Sequence, residues 1–245
     1  TRGYLFFAAL ATPLVISVHS VVSWDFALAI VPGWHTTIFA PYFVAGAIHS
    51  GLAMVLTLMI PLRKIFNYQK IITSDVLENV AKTIIFTGLI VGFAYATEFF
   101  IAWYSHNAVE IEQFRWRVTG DYRWGFFFMV VCNTLIPLLF LFKKFRTSIA
   151  SLFIISLIVN FGMWWERFVI IIGGVARGFS PHAWGLYTPT LIEYGIMLGA
   201  FCLFFFLFLL FAKHLPSVSM TEMKETLEHG GSHGRAGSGS RRHAG

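Results

Sequence analysis

Six long stretches of the chain are apolar almost without interruption, and the polar residues fall mostly between them. A helix needs about 20 apolar residues to cross the hydrocarbon core of a bilayer. Stretches of that length run over 4–27, 41–62, 82–104, 124–142, 148–173 and 189–212. The pattern predicts an all-α integral membrane protein with about six transmembrane helices. Pro13 and Pro137 fall inside two of the stretches, where membrane helices tolerate proline. Pro61 and Pro189 fall at ends, where proline fits easily.

The basic residues give the pattern a direction. None occurs between Gly3 and Leu62; then come Arg63, Lys64, Lys70 and Lys82. Lys143, Lys144 and Arg146 follow the fourth stretch and Lys213 follows the sixth. Cytoplasmic loops collect Lys and Arg, so both termini are expected inside, with 28–40, 105–123 and 174–188 outside. The loop 105–123 departs from this rule, with Arg115, Arg117 and Arg123 beside Glu110, Glu112 and Asp121. The segment AIVPGWHTTIFAP (29–41) carries aromatic residues and a histidine without charge, and reads as an interfacial piece on the outer surface. Trp103, Trp116, Trp124 and Trp184 suit an aromatic belt. The tail ending GGSHGRAGSGSRRHAG is low in complexity, can build no core and is expected to be disordered.

Composition narrows the class. Of 245 residues, 57% are hydrophobic and only 12% charged. Soluble domains carry about 25% charged residues, so this chain cannot cover a water-facing surface. The net charge of +6 does not point to nucleic acid, because Lys and Arg flank apolar runs and do not interleave with aromatics. Cys132 and Cys202 lie within apolar runs. Neither shows CxxC or CxxCH spacing, so no disulfide framework or c-type haem attachment is signalled.

Against this background the intramembrane polar residues carry the information. The stretch SVHSVVSWDFA places His19 and Asp25 in the first helix; His49 follows in the second, Glu98 in the third, Glu166 and Arg167 in the fifth, and Glu193 in the sixth. Asn133 and Asn160 add amides. Such groups are costly in hydrocarbon and usually face a bundle interior, a pathway or a site. The ordinary alternative is interhelical hydrogen bonding, which suits the two asparagines best. Asp25, Glu98, Glu166, Arg167 and Glu193 all fall in outer halves, which suggests a site or half-channel opening outward. The inner halves offer little beyond Asn133 and Asn160. His19 and Asp25 are six residues apart and point about 120° apart on a helix. Tyr95 and Glu98 share a face. Glu166 and Arg167 are adjacent, so each is expected to pair with another helix. His19 and His49, at matching depth, leave ligation of a b-type haem open as an alternative. A proton or ion transporter is another, although no repeat relates the two halves.

LATPLVISVHSVVSWDFALAIVPGWHTTIFAPYFVAGAIHSG, together with YATEFFIAWYS, MWWERFVII and PHAWGLYTPT, resembles the C subunit of bacterial alternative complex III, in the polysulfide-reductase (NrfD-like) family of membrane subunits. The resemblance covers nearly the whole chain from Tyr4 to about Glu225. It implies a subunit that oxidises quinol (menaquinol or similar) near the outer face of a bacterial plasma membrane, with no metal or haem of its own. Electrons would pass to an iron–sulfur partner subunit, with multihaem cytochrome c and other membrane subunits in the same complex. Asp25 matches the family aspartate at the headgroup and is the expected catalytic residue, with His19 as a second quinol-binding residue. Glu98, Glu166 and Arg167 match a proton pathway, to which His49 is added. Members have eight to ten helices, and the six here would be the last of them. Residues 1–27 would then end a first, quinol-site bundle, and 28–40 form the outer interfacial segment. A second four-helix bundle would occupy 41–175. The outer loop and a peripheral helix would occupy 176–213, followed by a cytoplasmic tail over 214–245.

Overall fold

The computed structural model describes residues 2–180, 182 and 184–214, and these are helical without strands. The elements are α1 (Arg2–Ala27), α2 (Phe39–Ile65), α3 (Ser74–Tyr104), α4 (Ala108–Thr119), α5 (Arg123–Val130), α6 (Lys143–Thr147), α7 (Ile149–Val175) and α8 (Leu191–His214). A π turn (Val131–Leu135) and a 3-10 turn (Ile136–Leu141) prolong α5. With that extension counted, six helices are long and apolar enough to cross a membrane. The chain divides into two units, Leu5–Tyr187 and a second that contains α8.

In the first unit α2, α3, prolonged α5 and α7 form a four-helix bundle. Its seam can be read residue by residue. The buried positions of α2 include Phe39, Tyr42, Gly46, His49, Ala53 and Leu56. Those of α3 include Leu77, Ala81, Ile84, Gly88, Val91, Tyr95, Glu98 and Ala102. Those of α7 include Leu152, Ser156, Val159, Met163, Glu166, Ile170 and Gly173. Along each helix these positions alternate steps of three and four, the 3.5-residue period that keeps one seam facing its neighbours over a long helix. Small residues on the seam let backbones approach, which drives association where the hydrophobic effect between helices is weak. Polar His49, Tyr95, Glu98 and Glu166 occupy seam positions themselves.

Two apolar clusters fill the bundle. One is aromatic, with Trp34, Phe39, Tyr42, Phe43, Tyr95 and Phe126 among its members. The other is almost wholly aliphatic, with Leu56, Leu77, Ile84, Leu152, Ile155 and Val159, and a single ring, Phe140. They mark the two ends of the bundle, called here the Trp34 end and the Arg146 end.

The prolonged α5 departs from a regular helix for a local reason. Pro137 has no N–H and its ring crowds the preceding turn. The wide π turn just before it holds more residues than an α turn. Met129, Asn133 and Pro137, four apart each time, are thereby all buried on the bundle side.

Two elements extend beyond the sequence expectation. α3 starts at Ser74 rather than near Lys82, because Thr73 caps it by accepting from Val76 N and because Leu77 and Ala81 continue the seam. The added turns carry Glu78, which pairs with Lys82 at 3.2 Å and with Arg146 at 2.9 Å. α4 lies inside the expected loop 105–123. Asn107 caps it, and its buried residues are Glu110, Gln113, Phe114 and Arg117, spaced i, i+3, i+4 and i+7, with Trp116 beside them. Three of those five are polar, so hydropathy does not reveal the helix. α8 opens on a capping box in which Glu193 accepts from Thr190 N at 2.6 Å while Thr190 Oγ1 accepts from Glu193 N. That contact gives Glu193 a local helix-capping role. The expected disordered tail lies outside the described residues, apart from His214 at the end of α8.

Candidate functional site

The seam's polar residues cluster toward the Trp34 end. Glu166 is fully buried. Its Oε2 accepts from Tyr95 Oη and from Asn133 Nδ2, and Asn133 Nδ2 also donates to Tyr95 Oη at 3.0 Å. Its other oxygen lies 3.6 Å from Arg167 Nη2. The Arg167 guanidinium sits over the Phe43 ring of α2, 4.7 Å from its centre. Tyr42 closes the cluster edge-on against Tyr95, ring centres 5.7 Å apart. Gly162 allows the arrangement, since a Cβ there would run into the Asn133 side chain and Cys132.

Three residues along α3 from Tyr95, Glu98 pairs with Arg117 of α4 at 3.5 Å, and both side chains are buried. Arg117 also stacks on Phe114 at 4.5 Å. A buried ion pair holds together only with good geometry and further contacts; here α4 supplies the cation and the ring beneath it. α4 is seated by Gln113, which donates to Gly173 O at 2.7 Å, one of the terminal carbonyls of α7 that lack a partner within the helix. The segment before α2 is seated by Trp34, whose indole N–H donates to Ile170 O at 3.1 Å. Gly33 has φ +79°, and a Cβ on it would press on the Phe114 ring, so the turn needs a residue free to take a left-handed conformation.

Deeper in the bundle, His49 is fully buried, with Nδ1 2.9 Å from Thr87 Oγ1. Its ring and the Asn133 carbonyl both lie close to Gly88. Deeper again, Thr57 Oγ1 is 3.0 Å from Ser156 Oγ and accepts from Asn160 Nδ2 at 2.9 Å. At the surface of the Trp34 end, His35 Nε2 meets Glu110 Oε1 at 2.5 Å. His35 lines a cavity of about 290 Å³ together with Trp24, Ala27, Thr36, Thr37 and Ala40.

Residues 2–177 match the family model for polysulphide reductase NrfD. The chain belongs to the NrfD family. It is also 27% identical over 228 residues to a Halobacterium salinarum protein named as a candidate dimethyl sulfoxide reductase membrane subunit. That alignment covers 81% of this chain and 50% of the relative, so the chain spans about half the relative's length. Six membrane-length helices and NrfD membership make it a multi-pass membrane protein.

Within this NrfD-family chain the structure brings together four of the six candidate site residues expected from the sequence. Glu98, Glu166, Arg167 and His49 all belong to one bundle. Glu166 pairs with other helices as adjacency on α7 required. Arg167 does so through Phe43, yet it also lies against its own neighbour Glu166, because its long side chain curls back along the helix. His19 and Asp25 stand apart on α1. Asp25 is exposed, and His19 bonds its own helix through Nδ1 and Val15 O at 2.8 Å. The pairing of His19 with His49 about a haem finds no support in the packing. Thr87, Gly88 and the Asn133 backbone crowd the His49 ring.

Several participants were not singled out. Arg117 looked like a breach of the charge rule in an outer loop, and is a buried partner of Glu98. Thr57, Thr87 and Ser156 are helix hydroxyls within apolar stretches. Their signal is the 3.5-residue seam, which places each beside a helix contact.

Proposed function

We propose that this chain is the quinol-oxidising membrane subunit of an electron-transfer complex of the alternative complex III type. The observation that carries the reading is the polar tier Arg117–Glu98 and Arg167–Glu166–Tyr95–Asn133, buried except for the partly exposed Arg167 and lying at the same end of the bundle as the cavity beside Trp24 and His35. Intramembrane ionisable groups gathered at one end suit proton handling near a membrane surface. The relative's name, a reductase membrane subunit, fits the same role of coupling a membrane-soluble donor to a partner.

In this reading, Asp25 at the end of α1 accepts a hydroxyl proton from quinol and releases it to water at the outer face. His19, about 9 Å deeper at 1.5 Å per residue, orients the ring. Glu98, Glu166, Arg167 and His49 move or hold protons within the bundle. Electrons leave to an iron–sulfur centre of a partner subunit, with cytochrome c subunits beyond it. The Trp34 end faces the outside of a bacterial plasma membrane. The Arg146 end, with Lys70, Lys143 and Lys144, faces the cytoplasm.

The test is steady-state quinol oxidation by the assembled complex. Asp25→Asn keeps size and hydrogen bonding but cannot take a proton, and loss of a general base costs on the order of 10²–10⁴ in rate. His19→Gln is expected to raise KM more than it lowers kcat. An Asp25→Asn complex that keeps more than about a tenth of the wild-type rate, above the range for a lost base, removes Asp25 from this role.

A further inference from the structure

Oxidation of one quinol releases two electrons and two protons, and the reading above gives Asp25 one of the two hydroxyl protons. We propose that the His35–Glu110 pair is the second acceptor and that the cavity lined by Trp24, Ala27, His35, Thr36, Thr37 and Ala40 receives the quinol ring. This rests on the quinol reading and adds to it a residue pair and a place.

The geometry is that of a base held by an orienting carboxylate. His35 Nε2 lies 2.5 Å from Glu110 Oε1, so Nε2 is the donor to the carboxylate and, in the neutral ring, Nδ1 is the nitrogen able to accept. Glu110 is anchored, with its side chain only 8% exposed and Oε2 accepting from Ser105 Oγ at 3.3 Å. His35 is half exposed, at 48%, and lines the cavity. The imidazole is thus held through Nε2 while the ring as a whole remains accessible at the cavity. This arrangement resembles the oriented-base logic of nucleophilic triads, in which a buried carboxylate fixes the tautomer and stabilises the imidazolium. The cavity volume of about 290 Å³ lies at the lower edge of the range for small-molecule sites. Its lining combines an indole ring, an imidazole and two threonines, the mix of aromatic and polar groups that a quinol ring and its hydroxyls call for.

The step balances. A quinol O–H bond breaks and an N–H bond forms at His35 Nδ1, giving an imidazolium beside the Glu110 carboxylate. The electrons pass to the iron–sulfur centre of the partner, which is the oxidant. The imidazolium then returns its proton to outside water, so the group is regenerated each turnover.

Two measurements on the assembled complex test it. An azido-quinone photolabel on the wild-type complex is expected to cross-link within residues 24–40, read by peptide mass spectrometry. His35→Gln is expected to lower kcat by on the order of 100-fold or more with KM changed less than threefold, and Glu110→Gln to lower kcat by a smaller factor in the same direction. Trp24→Ala is expected to act on KM instead. If the label cross-links this chain outside 24–40, or if His35→Gln turns over within threefold of wild type, the inference is overturned and the quinol reading stands. If the wild-type complex neither labels on this chain nor oxidises quinol, the underlying reading falls and the inference with it. Should His35→Gln fail to assemble, the cross-link position decides alone.

Discussion

The two ends of the bundle are built from the same four helices on the same seam, yet their interiors differ in kind. The Trp34 end is aromatic and holds two carboxylates and two guanidinium groups. The Arg146 end is aliphatic, and its interior polar groups are the hydroxyls and amide of Thr57, Ser156 and Asn160. Aromatic rings explain how the first interior tolerates charge. Phe114 and Phe43 each place a π face under a guanidinium, and such contacts grow stronger when desolvated. Tyr95 brings a hydroxyl donor to a carboxylate on an otherwise apolar body. An aliphatic interior has neither device, so it accepts only neutral groups that satisfy one another. The Arg146 end carries its charges, Glu78 with Lys82 and Arg146, in partly exposed pairs, whereas the fully buried carboxylate lies at the Trp34 end; side-chain composition, and not the backbone, makes that difference.

That contrast can be broken most severely at its polar end. Arg117→Met leaves Glu98 buried without its cation, and breaking one side of a buried pair costs about 3–5 kcal/mol. The complex is expected to lose thermal stability in detergent by a corresponding margin. Adding Glu98→Gln to Arg117→Met is expected to restore most of it, and a double variant as unstable as the single one would mean that Arg117 acts through packing on Phe114. Next in size is turnover. Glu98→Gln and Glu166→Gln keep the shape but cannot pass a proton at neutral pH, and kcat is expected to fall on the order of 100-fold with a smaller change in KM. Equal losses of turnover in Ser156→Ala would dissolve the distinction between the two ends. The smallest effect on chemistry is expected in the aliphatic interior. Leu56→Ala opens a cavity at a fully buried site and costs about 2–5 kcal/mol of stability, while quinol kinetics in the surviving complex stay within twofold.

The six apolar stretches were legible because a bilayer demands length and hydrophobicity, and both are countable. Glu98 and Glu166 were legible because a carboxylate in such a stretch is rare. α4 was not, because its buried face is polar and only its neighbours make that face an interior. Nor were the partners of each acid: the sequence placed Glu166 and Asn133 on separate helices, and which side of α5 carries Asn133 depends on a wide turn that hydropathy does not register. The helix directions across the membrane rest on charge distribution, and the roles of Asp25 and His19 rest on resemblance, which the Asp25 and His19 variants test.

The π turn at Val131–Leu135 governs how the chain can change length. Elsewhere in the bundle an inserted or deleted residue rotates everything beyond it by about 100° and throws the seam out of phase. Here the surplus residue is already absorbed. Deleting one residue from 131–135 is expected to tighten the turn to a regular helix, leaving the membrane span and Pro137 in place. The Asn133 amide would swing away from Glu166, so one codon separates a bundle that clasps its buried acid from one of the same outline that does not.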